Sequence, residues 1–238
     1  MDKFYGILLT LLAGLFFLVG GLIFLKNKDK LNNFSVALSF VIMLSLVVVD
    51  LLPEILELLE DTGTLKKILI MGIAGTLGFI LLKLLDLFIP SHHHEHHDNE
   101  TNHEEHESHI KHIGILTVFG LVLHNLLEGF AIFGMTNNSF KIGLFTSLSV
   151  ALHNIPLGMQ IFSSLNVKKN KLLILILTLS SLFGGLVFLA VGEISGIVLA
   201  GVTAVTLGMI LYILFMELWP LVRINIKKQE TILGILLG

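Results

Sequence analysis

The 238-residue chain contains no cysteine. That removes disulfides, thiolate zinc sites, iron–sulfur ligation and thiol catalysis from consideration. Charge is scarce as well: 14% of residues are Asp, Glu, Lys or Arg, against roughly 25% in soluble domains. The formal net charge of -3 carries no basic excess, and no Lys/Arg cluster lies beside aromatics. Nucleic-acid binding therefore has no footprint. The H-E-x-x-H pattern of intramembrane zinc proteases is missing, and nothing else in the chain points to an enzyme. What the chain does have is apolar length. Hydrophobic residues make up 54% of it, in blocks long enough to cross a bilayer, which takes roughly 20 residues at 1.5 Å each.

Seven such blocks run at 4–25, 34–56, 65–89, 113–135, 141–165, 172–192 and 197–222. They predict an all-α polytopic transmembrane bundle forming a single domain over 1–238. The first block is too long for a signal-peptide core and has no A-x-A-like cleavage site, so it is a retained span. A last apolar piece, 231–238, is far too short to cross and is expected to be a truncated eighth span. Lys and Arg set the orientation. Ten of them follow spans one, three, five and seven, against four on the opposite side. The N-terminus is therefore expected outside, with the loop after span three in the cytoplasm. Gly72, Gly75 and Gly78 form a small-residue ridge on span three, suited to close helix packing. Gly184 and Gly185 suit the same role.

Ionisable residues inside spans are costly and face a cavity or a partner. Lys83 and Asp86 suit a local ion pair, and Glu54 and Glu193 lie near enough to span ends to reach headgroups or water. Span four is different. His124-Asn125-x-x-Glu128-Gly129 puts an imidazole and a carboxylate on one helical face near mid-span. Such a pair either closes on a divalent cation at roughly 2.0–2.2 Å or serves as a structural hydrogen bond. Span five repeats the pattern as His153-Asn154-Ile155-Pro156-Leu157-Gly158, 29 residues on. Pro156 cannot donate to the Leu152 carbonyl, which leaves a spare oxygen beside His153. The repeat favours a metal role for His124, Glu128 and His153. Spans two and seven echo each other too. Met43 precedes Asp50-Leu51-Leu52-Pro53, and Met209 precedes Glu217-Leu218-Trp219-Pro220, the weak internal symmetry of an inverted-repeat transporter. Asp50 and Glu217 are candidate vestibule residues, or simply wetted acids. Met43 is either core filler or a soft thioether ligand.

Between spans three and four, residues 91–112 hold nine of the 11 histidines: His92, His93, His94, His96, His97, His103, His106, His109 and His112. Six carboxylates accompany them and no apolar residue stands between Ser91 and His109, so a disordered loop is expected. Neutral imidazoles at cytosolic pH capture metal loosely and adaptably.

The paired motif, with the histidine loop, Met43 and the two acid-x-x-Pro endings, resembles the ZIP (Zrt-/Irt-like) divalent-metal transporters over nearly the whole chain. The resemblance implies a bundle of eight helices with inverted three-helix repeats around spans four and five, moving Zn²⁺, Fe²⁺, Mn²⁺ or Cd²⁺ into the cytosol. It implies that His124, Glu128 and His153 bind the ion, that Met43 is a thioether ligand, and that Asn125 and Asn154 line or support the site. Three departures matter. Leu157 stands where span five usually has a glutamate that often bridges two metals, and span six, around Ser181–Gly185, has glycines where many relatives carry another glutamate. Together these imply one metal rather than two. Leu127 also replaces a common proline. The expected protein is thus a metal-uptake transporter in the bilayer of the cell membrane, with a homodimer kept open. The competing expectation is a non-transporting metal sensor or buffer that works through its histidine loop.

Overall fold

The computed structural model describes residues 2–26, 28–88 and 102–238. Among them, seven helices are long and apolar enough to cross a membrane: Lys3–Lys26, Leu31–Leu58, Thr64–Leu87, Ile115–Asn138, Phe140–Ser164, Lys171–Val191 and Gly196–Ile224. Each lies within three residues of its predicted bounds. The described residues contain no strand. The chain is an integral, all-α polytopic membrane protein.

The helices are α1 (Asp2–Lys26), α2 (Lys28–Leu46), α3 (Leu52–Leu58), α4 (Thr64–Phe88), α5 (Asn102–Asn138), α6 (Phe140–Ser164), α7 (Lys171–Val191), α8 (Gly196–Tyr212), α9 (Trp219–Ile224) and α10 (Gln229–Leu237). Span two is α2 and α3 joined by π-helical turns at Val47–Leu51, and span seven is α8 and α9 joined at Ile213–Leu218. Both joints have one cause. Pro53 and Pro220 sit in the first turn of the helix that follows and lack an N–H for the carbonyl four residues back. The ladder widens just before them: Leu52 N–H bonds Val47 O and Trp219 N–H bonds Leu214 O, each five residues back. Asp50 and Glu217 both lie inside these widened turns.

Helix contacts follow an inverted symmetry. Helix α1 packs on α6 as α7 packs on α5, α2 packs on α10 as α8 packs on α4, and α3 meets α8 across the middle. This pairs span one with six, two with seven, three with α10, and four with five. Spans one and six cross in opposite senses because four spans, an even number, lie between them. The short α10 accordingly takes the place opposite span three, packed against α2.

The last glycine of each motif fixes the two central helices. A Cβ at Gly129 would overlap the Ser181 carbonyl oxygen of α7, and one at Gly158 would overlap the Phe17 carbonyl oxygen of α1. Reciprocally, Gly184 meets the Leu126 carbonyl and Gly20 the Ile155 carbonyl. Backbones this close admit no side chain, which is how small residues join membrane helices. The ridge expected on span three is shorter than its spacing implies. Gly78 abuts Val205 and Gly75 faces Ala204, but a Cβ at Gly72 would meet open space. Substitution should separate these cases. Gly129→Val is expected to cost roughly 1–3 kcal/mol or more through overpacking and to lower the detergent melting temperature clearly. Gly72→Val should leave it unchanged.

Helix α5 starts at Asn102. The disordered loop expected from composition is therefore corrected at its C-terminal side, where the backbone carrying His103, His106, His109 and His112 is helical. An i, i+3 histidine spacing permits this, because a polar helix needs no core when it extends beyond the bundle. His92, His93, His94, His96 and His97 lie outside the described residues.

Candidate metal site

The two central helices bring their motifs face to face. Glu128 Oε1 lies 3.0 Å from His124 Nε2 on its own helix and 2.8 Å from His153 Nε2 on α6. The imidazole rings stand 6.1 Å apart, tilted by 34°. Each residue offers a ligand atom, and the three lie within 4.8 Å of one another. His124 and Glu128 are buried at 1% and 7% exposure, whereas His153 retains 22%, so the cluster is open on the His153 side.

Short distances alone would suit a structural hydrogen-bond pair. What sets the cluster apart is its isolation: beyond these two contacts, His124 Nε2, His153 Nε2 and both Glu128 oxygens are buried with no further partner. Tetrahedral ligands about 2.0–2.1 Å from a zinc ion stand roughly 3.3–3.4 Å apart. Around an ion the two imidazole–carboxylate distances would lengthen by only roughly 0.3–0.6 Å. Buried ionisable groups with no partner outside their own cluster are rare in folded proteins and need a reason. Converging on one point, they form a ligand set for a cation.

Asn125 is completely buried, and neither its Nδ2 nor its Oδ1 has a partner. Asn154 is also buried, but its Nδ2 donates to the Ala13 carbonyl of α1 at 3.0 Å, tying span five to span one. Met43 is buried in the apolar core. Beside the other motif, the Ser39 hydroxyl of α2 donates to the Pro156 carbonyl at 2.9 Å, and α6 runs unbroken through that proline. Leu157, at the position that matches Glu128, is fully buried among apolar residues.

Asp50 is exposed, and its carboxylate lies close enough to Glu128, His124 and His153 for their charges to interact. Glu54 joins the same group, its charge acting on Asp50, His124 and Glu128. Sequence reasoning left Glu54 among acids near headgroups. The signal was present as the i, i+4 spacing of two carboxylates across Pro53. Glu217, the symmetry mate of Asp50, is instead buried at 6% exposure, and its charge acts on Tyr212. The Tyr212 hydroxyl in turn donates to Asp86 Oδ2 at 2.6 Å. Of the two symmetry-related acids, Asp50 is thus exposed within reach of the cluster's charges, and Glu217 is enclosed in span seven beside Tyr212.

A multi-spanning bundle with ligand atoms converging between its two central helices has the form of a membrane transporter for a small cation. Residues 89–238 match the family model described as ZIP zinc transporter. The chain belongs to that family, and is a divalent-metal transporter. No curated protein matches it.

Proposed function

We propose that this protein carries Zn²⁺, or a neighbouring divalent ion such as Fe²⁺, Mn²⁺ or Cd²⁺, into the cytosol through the His124–Glu128–His153 cluster. The observation that carries the reading is the convergence of two imidazoles and a carboxylate whose buried ligand atoms have no partner outside the cluster. A hydrated ion collects at Asp50 and Glu54, sheds water, and is held by both imidazoles and Glu128. Met43 supplies a thioether, and the side-chain oxygen of Asn125 completes the shell. Asn154 holds span five in place. Glu217 belongs to the far vestibule. Borderline-soft ions accept such a mixed N, O and S set, which is why the ligands alone do not pick one metal.

Charge sets how firmly the ion is held. With Leu157 in place of a second carboxylate, one negative charge meets a divalent cation and leaves a net +1. Such a site binds one ion and lets it go. The lysine bias supports an N-terminus outside and the histidine segment on the cytoplasmic side of the membrane. There the segment collects released ions, while the bundle does the transport.

Reconstitution tests this reading. Purified protein in liposomes is expected to take up Zn²⁺, measured across a panel of metals with and without a proton gradient. Deleting residues 92–109 should leave more than half of the flux. Loss of all metal handling on that deletion, with no flux in the intact chain, would make the protein a sensor or buffer instead.

A further inference from the structure

A line of polar residues leads away from the cluster along α6. Gln160 lies seven residues beyond His153, about 10 Å along the axis. It is completely buried, and its Nε2 reaches Ser164 Oγ at 3.4 Å. Its Oε1 has no partner. Ser163 and Ser164 then border a partly open cavity of about 40 Å³, lined also by α2, α9, Asn225 and α10 at the lysine-rich end of the bundle. A water needs roughly 10–15 Å³ of such space, so two or three water-sized bodies fit.

Donor accounting gives the chemistry of this cavity. The Ser163 and Ser164 hydroxyls donate to the Gln160 carbonyl at 2.7 and 3.1 Å. Asn225 Nδ2 donates to the Leu221 carbonyl at 2.9 Å. With those hydrogens committed, the two serines offer oxygen lone pairs, while Asn225 offers its Oδ1 and keeps one further N–H, and Asn32 and Asn33 also border the cavity. Thr231 Oγ1 borders the same cavity, buried at 1% exposure and without a partner. Helices α6 and α9 both end here, and carbonyl ends favour positive charge. The first turn of α10 borders it too, which keeps the field weak. No ionised side chain is among the described residues that line it.

We propose that this cavity is a second, weak cation station, where a partly hydrated divalent ion released by the cluster pauses on the neutral oxygens of Ser163, Ser164, Asn225 and Thr231, with Gln160 positioning Ser164 from behind the lining. The inference rests on the transport reading above. Without a carboxylate the station binds loosely and releases fast, in contrast to the imidazole-rich cluster behind it.

Two arms test it on the membrane-embedded chain. The first uses His124→Ala/His153→Ala protein with residues 92–109 deleted, in nanodiscs, titrated with Mn²⁺ and read by electron paramagnetic resonance. One weak Mn²⁺ site without imidazole nitrogen coupling is expected. Gln160→Leu/Thr231→Val should weaken it at least tenfold, and Thr231→Ser should keep it. Absence of such a site, or one indifferent to Gln160→Leu/Thr231→Val, overturns the proposal. The second arm puts Gln160→Leu/Thr231→Val into the intact chain, with Thr231→Val alone as the isosteric alternative should the pair misfold. A fivefold or greater fall in maximal Zn²⁺ uptake is expected while Zn²⁺ binding at the cluster stays intact. Unchanged uptake overturns the proposal. If the intact chain moves no divalent ion, the transport reading fails, and the Mn²⁺ arm still decides the cavity.

Discussion

Glu128→Ala and His124→Ala are each expected to abolish Zn²⁺ uptake into proteoliposomes while the protein still inserts and runs as a single species. Glu128 supplies the cluster's carboxylate and touches both imidazoles, at 3.0 and 2.8 Å. Its removal takes away both a ligand and the charge that draws the ion from water. Loss of a residue that merely orients a ligand costs roughly 10–100-fold in metal affinity, so loss of a ligand should exceed about 100-fold. Folding should survive, because the helices are held by close backbone contacts at Gly129 and Gly158 rather than by the cluster. Alanine at 128 also removes an ionisable group from mid-span, where it is costly without a partner. The variant should therefore be at least as resistant to heat as the parent when metal is absent. Full transport in both variants would end the assignment of this site.

The second large effect is expected from Leu157→Glu. Leu157 stands four residues after His153, as Glu128 stands four after His124, and it is fully buried. A carboxylate there completes the second half of the internal repeat. Two unit charges 4 Å apart interact by about 4 kcal/mol at an effective dielectric of 20. Even after desolvation takes a large share, Zn²⁺ should bind at least about tenfold more tightly, with a second ion seated between the carboxylates. Turnover should fall in proportion, because net charge at the one-ion site drops from +1 to zero and the ion leaves slowly. Calorimetry in nanodiscs gives the stoichiometry and affinity, and uptake gives the turnover. Unaltered affinity with one ion bound would show that position 157 does not face the ligands.

The spans were legible because a bilayer imposes one requirement, an apolar stretch of fixed length, and composition reports it directly. His124, Glu128 and His153 were legible for the converse reason: three ionisable groups in an apolar background stand out, and helical spacing puts two on one face. The pairing of spans two and seven was visible in Asp50-x-x-Pro53 and Glu217-x-x-Pro220. The π-helical turns that hold both acids were not, since which carbonyl a widened ladder uses depends on neighbours. Asn154 shows a similar limit. It follows its histidine and precedes its glycine as Asn125 does, yet one amide bonds the Ala13 carbonyl and the other bonds nothing. Gly72 and Gly78 are equally indistinguishable by spacing, and only the second meets a helix. Glu54 was set aside because nearness to a span end says nothing of the direction its carboxylate takes. The start of α5 at Asn102 escaped notice because a polar helix leaves no apolar period.

The account stands on an ion held by two imidazoles between α5 and α6. Zinc-edge X-ray absorption on the chain lacking residues 92–109, in nanodiscs with one equivalent of Zn²⁺, tests this most directly. The predicted spectrum contains two imidazole nitrogens at about 2.0–2.1 Å, oxygen from Glu128 and one sulfur from Met43, and it loses the imidazole signal in His124→Ala/His153→Ala. A shell without imidazole, or one that is the same in that variant, would contradict it.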